Sequence, residues 1–408
     1  MEKKARRVLV AATGINLVSG MLYTWAIVSR VLISEMGWTN RQASLPYTLA
    51  TIGFVIAMMI FGRIQDTRGP RFTATIGVAL VGSGLFLSGL VPEPFFVALG
   101  FGVLTGLGIG TLNVSTMPPA LKWFPKEKKG MVGGVVVAGV SLSSMVYAPL
   151  ADWLTRTYGV STFFIVVGMI SFGVSMVLAQ FLSNPPGLEL SAAQVRPDAG
   201  EYGKEFTWQE MVRTPKFWTV WLMFGLSSSA GLMVIGHIVS IASVQAAWEG
   251  GFLLVMLLAL LNTFGRFAGG SLSDKVGRIN LIRGLFVLSA LNMLAFSSYV
   301  TVPLLALGVA IAGMCYGAAF SVFPAVVSDL YGNQNFGANY GIMFSSWGVG
   351  GTIGPMTAAW IYDMTGGFVQ AYRVSALLLL TGFVVTFLFA GLKLPESQSL
   401  EEGTLMDP

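Results

Sequence analysis

A short charged loop, Gly270-Ser271-Leu272-Ser273-Asp274-Lys275-Val276-Gly277-Arg278, separates two long apolar runs in the second half of the chain. Its Gly–Asp–Gly spacing occurs 208 residues earlier, in Gly62-Arg63-Ile64-Gln65-Asp66-Thr67-Arg68-Gly69. A weaker correspondence relates Trp123-Phe124 and Gly130 to Leu330-Tyr331 and Gly337 at an offset of 207 residues. The two halves of the chain are therefore predicted to be parallel repeats of one helical unit, an arrangement that places a pathway between them.

The composition predicts a membrane protein. Hydrophobic residues make up 54% of the 408 residues and charged residues only 11%, whereas a soluble globular chain carries roughly 25% charged residues. A membrane-spanning helix needs about 20 apolar residues, and twelve runs approach that length. They lie near 8–30, 42–62, 72–91, 94–121, 129–151, 160–183, 215–245, 250–272, 279–301, 303–329, 337–362 and 372–393. We expect an all-α membrane protein of 12 transmembrane helices in two six-helix pseudo-repeats. The expected domains are an N-terminal bundle (1–183), a cytoplasmic linker (184–214) and a C-terminal bundle (215–408).

The distribution of basic residues predicts the orientation. With a cytoplasmic N-terminus, 19 of the 24 lysines and arginines fall on the cytoplasmic side. Four fall on the other side, namely Arg30, Arg41, Arg156 and Arg373, and Arg266 is left inside a span. Cytoplasmic loops of membrane proteins carry such an excess of basic residues. Both termini are therefore expected in the cytoplasm, and the net charge of +5 reflects topology rather than nucleic-acid binding.

The residue inventory disfavours several other classes of protein. The single cysteine, Cys315, and the single histidine argue against a disulfide scaffold and against a metal site. We see no catalytic pair of acids, no nucleophile–base motif and no phosphate-binding G-x-x-x-x-G-K-[ST] loop, and no polar segment long enough for a sensor domain. We therefore expect a secondary transporter that acts as a monomer without metal or cofactor, rather than an enzyme, an ATP-driven pump or a receptor.

The loop at 270–278 resembles the signature G-x-x-x-D-[RK]-x-G-R of the major facilitator superfamily. The earlier copy departs from it, because Thr67 replaces the basic residue and Pro70 precedes Arg71. The resemblance covers nearly the whole chain and implies the major facilitator fold and transport by alternating access. The two aspartates are expected at helix ends, where carboxylates cap N–H groups and pair with basic residues. The residues expected to gate the cytoplasmic ends are Asp66, Arg68, Asp274, Lys275 and Arg278, with an ordinary charged turn as the alternative.

Four further segments are similar to the oxalate:formate antiporter family and, in part, to the animal monocarboxylate transporters. They are Met211–Trp218 at the start of the seventh span, Lys122–Gly130 after the fourth, Ser19–Trp25 in the first and Asn339–Gly341 at the start of the eleventh. This resemblance implies a small carboxylate anion as the cargo.

Arg266 is the candidate that binds this anion. It lies eight residues before Asp274, about 12 Å into the membrane at 1.5 Å per residue. A charge at that depth costs at least ~2.5–3.5 kcal/mol and marks a functional site by default. The planar guanidinium matches a carboxylate, and in both resembled families an arginine of the eighth span binds the substrate carboxylate. The alternatives are an arginine held by helix carbonyls or one that reaches toward the cytoplasm.

Two neighbours of this position refine the expected cargo. Asn262 lies one turn before Arg266, where animal monocarboxylate transporters have an aspartate associated with the proton. An asparagine can hydrogen-bond the cargo but carries no proton, and helix packing is its alternative role. Trp347 stands where the oxalate carrier resembled here has a lysine. We therefore expect one cation in the cavity and a monoanion such as lactate, pyruvate, formate or glycolate, with a packing role as the alternative for this tryptophan.

The remaining candidates are weaker. The resemblance to this superfamily implies that spans 1, 4, 7 and 10 line the cavity. Spans 1, 4 and 10 contain Tyr23, Asn113 and Tyr316, respectively. Each is a candidate to orient the cargo, and a bond to a neighbouring helix is the alternative. His237 is the possible proton site, because histidine is the side chain suited to exchanging a proton at physiological pH, with a structural role as the alternative.

The expected function is secondary active transport of a small monocarboxylate across the plasma membrane. In a cell with two membranes, this is the inner membrane. Proton symport ranks first by resemblance. Carboxylate exchange of the oxalate:formate type follows closely, because the acids fall in loops, tails or near helix ends.

Overall fold

The structure, a computed structural model, describes residues 2–125, 128–185, 205–248 and 250–392, and these contain helices but no strand. The helices are α1 (Glu2–Ser19), α2 (Trp25–Met36), α3 (Asn40–Arg68), α4 (Pro70–Leu90), α5 (Pro94–Val97), α6 (Gly106–Lys122), α7 (Lys129–Ala179), α8 (Trp208–Val212), α9 (Pro215–Ala246), α10 (Gly251–Val276), α11 (Arg278–Phe296), α12 (Val302–Tyr331), α13 (Phe336–Thr365) and α14 (Val369–Gly391). A 3₁₀ turn (Gly20–Thr24) joins α1 to α2, and a π-helical segment (Ala98–Thr105) joins α5 to α6.

These helices account for twelve membrane crossings. Within the described ranges, ten helices are long and apolar enough to span a membrane. One of them, the 51-residue α7, is long enough for two crossings and is interrupted at Gly159, where φ is 82°. The twelfth crossing is α13, whose 30 residues include many glycines and polar side chains that lower its hydropathy. The predicted all-α architecture of twelve helices is therefore confirmed.

The two signature loops reverse the chain at equivalent glycines. Gly69 and Gly277 have φ of 86° and 89°, a conformation that residues with a Cβ rarely adopt. Each follows its loop aspartate by three residues, and α4 and α11 begin directly after them. The requirement for a left-handed residue at the reversal explains the last glycine of the repeated pattern.

The predicted linker at 184–214 lies partly outside the described residues, which resume at 205. From there the chain is attached to the C-terminal half. The N–H of Phe206 donates to the carbonyl of Tyr331 at 3.0 Å, and the side-chain amides of Asn335 and Asn339 donate to the carbonyl of Phe206 at 3.1 and 3.0 Å. The end of the linker therefore positions the start of α13.

The two halves meet along two helix pairs, in which α3 packs against α13 and α7 against α10. Glycines allow the backbones to approach closely. A Cβ on Gly62 would meet the carbonyl of Gly337, and a Cβ on Gly130 would meet the carbonyl of Gly270. These contacts place the loop carboxylates of each half beside a helix of the other half.

Candidate functional site

Arg266 is the largest of the fully buried side chains in the described structure, with 1% of its surface exposed. Its Nε donates to Oδ1 of Asn262, one turn earlier in α10, at 3.0 Å. Its Nη1 donates to the carbonyl of Val137 in α7. The guanidinium carbon lies 5.0 Å from the ring centre of Phe320 in α12, within cation–π range. Uncharged groups from both halves therefore contact this cation, and one of them is a helix carbonyl.

Aromatic side chains form a wall next to Arg266. The ring of Phe320 lies 4.8 Å from that of Tyr316 and 6.2 Å from that of Trp347. The indole Nε1 of Trp347 donates to the hydroxyl of Tyr316 at 2.9 Å. Phe54 of α3 reaches the same wall from the other half, 5.6 Å from Trp347. Two of the predicted cargo contacts, Tyr316 on α12 and Trp347 on α13, thus lie beside the Phe320 ring that packs against the guanidinium of Arg266.

The two predicted cargo contacts of the N-terminal half, Asn113 and Tyr23, have no described contact with Arg266 or the aromatic wall. Asn113 is 8% exposed, and its Nδ2 lies 3.5 Å from Oδ1 of Asn16 in α1. Asn16 in turn donates to the hydroxyl of Thr116 at 3.0 Å. These bonds join two neighbouring helices through a buried polar cluster. Tyr23 lies in the 3₁₀ turn, and its side chain is outside the described part of the structure.

His237, the candidate proton site, joins α9 to the outer part of α13. Its Nε2 lies 3.0 Å from the carbonyl of Pro355, and its ring centre lies 5.5 Å from that of Phe368. A carbonyl accepts but does not donate, so this geometry places a proton on Nε2. The contacts fit a histidine that holds helices together.

Asp66 of the first signature loop crosses to the opposite half. Its carboxylate accepts hydrogen bonds from the backbone N–H groups of Gly337 and Ala338, at 3.1 and 2.9 Å, at the start of α13. The Nζ of Lys122 lies 3.6 Å from the same carboxylate, and the two side chains are 2% and 6% exposed. An anion here satisfies otherwise unpaired N–H groups and the helix dipole. The contact therefore joins α3, α6 and α13.

Asp274 of the second loop makes the reciprocal contact. It accepts from the N–H groups of Gly130 and Met131, at 3.0 and 2.9 Å, at the start of α7. Arg278 donates to Asp274, and its Nε lies 3.0 Å from Oδ2 of Asp329 at the end of α12. Each loop thus caps a helix of the opposite half, and both contacts are made in this structure.

The cations beside the two aspartates are Lys122 and Arg278. Two residues predicted for the gate lie elsewhere: the guanidinium of Arg68 is 5.3 Å from the ring centre of Phe72, and Lys275 is exposed. Lys122 was not among the residues predicted for the gate from the sequence. The repeat could have indicated Lys122, because it is equivalent to Asp329 of α12 at the repeat offset of 207 residues.

Proteins of similar sequence include named transporters. The uncharacterized MFS-type transporter YhjX of Escherichia coli K12 is 28% identical over 335 residues, which are 81% of this chain and 82% of that protein. The oxalate:formate antiporter of Oxalobacter formigenes is 27% identical over 335 residues, 81% of this chain and 78% of that protein. Monocarboxylate transporter 13 of Bos taurus is 26% identical over 377 residues, 90% of this chain and 84% of that protein. The expected similarity to these carboxylate transporter families is confirmed.

The fold also matches solved structures. The human organic anion transporter MFSD10 (TETRAN) superposes with a TM-score of 0.72 at 15% identity, over 94% of this chain and 99% of that chain. The sequence profile of the Major Facilitator Superfamily matches residues 9–300 and, in a second alignment, 253–405. The two alignments together include both signature loops and nearly all of the twelve crossings. This protein is therefore a transport protein of the membrane and belongs to the Major Facilitator Superfamily.

Proposed function

We propose that this protein carries a small monocarboxylate across the plasma membrane by alternating access, in symport with a proton. The observation that carries the proposal is the guanidinium of Arg266, buried at membrane depth between the two halves of the chain. A charge at this depth is retained for a function, and the two-donor edge of arginine binds carboxylates in a defined orientation. The named relatives that transport oxalate, formate or monocarboxylates support the same class of substrate.

The proposed preference for a monoanion rests on the charge and shape of the wall around Arg266. Among the described side chains of this wall, Arg266 supplies the positive charge, and Phe320, Tyr316 and Trp347 supply rings. Trp347 stands where the resembled oxalate carrier has a lysine, and here its indole is bonded to a tyrosine hydroxyl. One cation beside an aromatic surface suits one carboxylate with a short apolar tail. No second cation is present for a dianion such as oxalate among the described side chains of this wall.

The proposed mechanism is the rocking of two bundles, 1–183 and 215–408, about the pairs α3–α13 and α7–α10. Asp66 and Asp274 cap helices across the interface, so these bonds break whenever the ends of the bundles separate. The excess of basic residues on this side supports a cytoplasmic location for it. We therefore assign the two signature loops to the cytoplasmic gate, with Lys122, Arg278 and their carboxylate partners as its ion pairs.

Coupling to a proton is the less direct part of the proposal. Arg266 stays charged, and Asn262 carries no proton. His237 is a titratable side chain within a span, but its bond to the Pro355 carbonyl fits a structural role. The cargo's own proton and acids near the outer helix ends, such as Asp152 and Asp363, are the other candidates. Exchange of one carboxylate for another is the second candidate function, and similarity to the oxalate:formate antiporter favours it.

Uptake into proteoliposomes tests the proposal. The purified protein is reconstituted, and uptake of radiolabelled lactate, pyruvate and formate is measured with an imposed inward-acid gradient and, separately, with internal unlabelled carboxylate. Accumulation driven by the pH gradient supports symport. Uptake that responds to internal carboxylate but not to the pH gradient indicates that the protein is an exchanger instead. If none of the monocarboxylates is carried under either condition, the proposed substrate class is wrong.

A further inference from the structure

Two oxygens of the protein itself accept hydrogen bonds from Arg266. Its Nη1 donates to the carbonyl of Val137, and its Nε donates to Oδ1 of Asn262. These bonds occupy donors on two different edges of the guanidinium, each of which could otherwise serve a cargo carboxylate. The hydroxyl of Ser141 in α7 lies 3.5 Å from the same Oδ1, so α7 supports both oxygens.

The bond to Val137 depends on close approach of the two halves. Val137 lies one turn after Gly134 in α7, and a Cβ on Gly134 would meet the backbone carbonyl of Arg266. The two helices therefore touch backbone to backbone where the guanidinium crosses between them. In the same structure Asp66 and Asp274 cap the opposite halves. The bond of Arg266 to α7 thus belongs to the arrangement in which the gate is closed.

We propose that the Val137 carbonyl and the Asn262 amide are an internal ligand for Arg266 that lets the carrier close and reorient without cargo. This inference rests on the proposed function, because it assigns the cargo carboxylate to the same guanidinium. Burial of an arginine without partners at this depth would slow reorientation about 100-fold, and a carrier with that penalty exchanges substrates but hardly performs net transport. The internal ligand removes the penalty. It therefore favours net transport over obligatory exchange.

The test compares two fluxes in the same proteoliposomes. Vesicles containing the full-length protein are loaded with radiolabelled lactate, and ionophores collapse the pH gradient and the membrane potential. They are diluted into buffer without substrate, which measures net efflux, or with unlabelled lactate, which measures exchange. We expect net efflux within about tenfold of exchange. Rapid exchange with net efflux about 100-fold slower or less overturns the internal ligand but leaves carboxylate transport intact. The absence of both fluxes for lactate, pyruvate and formate overturns the proposed function and this inference together.

A matched pair of variants isolates the internal ligand. Gly134→Ala forces α7 away from the backbone of Arg266 and lengthens the bond to Val137. Gly341→Ala occupies the equivalent repeat position, where a Cβ would meet the carbonyl of Met58, and it separates α3 from α13 without touching the arginine. We expect the ratio of net efflux to exchange to fall about tenfold or more in Gly134→Ala and to stay unchanged in Gly341→Ala.

An unchanged ratio in Gly134→Ala, or an equal fall in both variants, overturns the proposal. The exchange flux also shows that each variant is folded. If Gly134→Ala shows neither flux, Asn262→Leu replaces it, because it keeps the helix spacing and removes one of the two oxygens. The same ratio is expected to fall in that variant, and an unchanged ratio again overturns the proposal.

Discussion

Replacement of Asp66 by asparagine is expected to open the gate, and the structure indicates by how much. The carboxylate accepts two backbone N–H groups of α13, at 3.1 and 2.9 Å, and lies 3.6 Å from the ammonium of Lys122. The amide offers one oxygen, so one buried N–H loses its acceptor, which costs about 1–3 kcal/mol. Lys122, with a side chain 2% exposed, loses this carboxylate, and breaking a buried ion pair costs about 3–5 kcal/mol. Because the two effects overlap, we expect the closed state to lose about 4 kcal/mol, roughly a thousandfold in equilibrium.

The same substitution at Asp274 is the matched comparison. That carboxylate also accepts two N–H groups, at 3.0 and 2.9 Å. Its cation, Arg278, keeps a second partner, because its Nε bonds Asp329 at 3.0 Å. Because Arg278 stays paired, we expect the weakening of its bond to residue 274 to add little to the loss of the N–H acceptor, which costs about 1–3 kcal/mol, or roughly 5- to 150-fold. Asp66→Asn is therefore expected to open the gate more than Asp274→Asn, although the second loop fits the family signature better.

Distances between spin labels measure this difference. Labels on the exposed residues Arg71 and Asn280, one in each half, with Cys315 replaced by serine, report the separation of the bundles by double electron–electron resonance. A long-distance population should dominate in Asp66→Asn and remain smaller in Asp274→Asn. Adding Lys122→Met to the first variant should restore part of the closed population, because the buried cation is gone. Equal opening in the two single variants, or closed distributions in both, would refute the reasoning. Equilibrium binding of the carboxylate should stay near normal while turnover falls.

Three further predictions concern the cargo and the proton. Arg266→Lys should keep the fold and lower lactate uptake about 10-fold to 100-fold, since an ammonium cannot reproduce the two directed bonds; unchanged uptake would remove this residue from the site. Lactate or pyruvate should compete for uptake far better than oxalate, and Trp347→Lys should shift the preference toward oxalate; oxalate as the tightest competitor of the unmodified protein would contradict the single-cation argument. His237→Gln should retain accumulation driven by a pH gradient, because the glutamine amide can still donate to the Pro355 carbonyl; loss of that accumulation with exchange preserved would identify the histidine as the proton site.

The architecture was predictable because its determinants are local in the sequence. Twelve apolar runs specify the crossings, and a glycine three residues after each loop aspartate specifies the reversals at Gly69 and Gly277. The depth of Arg266 followed from its distance to the loop along a helix of constant rise. In each of these cases the relevant spacing lies within one helix or one turn.

The partners of the functional side chains were harder to predict, because they come from distant parts of the chain. The carbonyl of Val137 that binds Arg266 is a backbone group, and a backbone acceptor has no signature in the sequence. Phe320 packs against the guanidinium, but in the sequence nothing distinguishes it from the many other apolar residues of its span. The helix N-termini that receive the loop carboxylates belong to the opposite half. Sequence alone indicated the carboxylates and the arginine as candidates but not what they contact.

The repeat also explains why the two proposed gate clusters, one around Asp66 and one around Asp274, differ in sequence although they share one geometry. In the second loop Arg278 directly follows the glycine at the reversal and bonds the loop aspartate. In the first loop Pro70 intervenes, and Arg71 is exposed. The cation of that cluster comes instead from Lys122 on α6, at the repeat position where α12 carries Asp329. Lys122 supplies the positive charge that the first loop lacks. In the other half the loop already has an arginine, and Asp329 forms an ion pair with it. Opposite charges at one repeat position thus stabilise the same contact, and a search for identical residues between the halves passes over both.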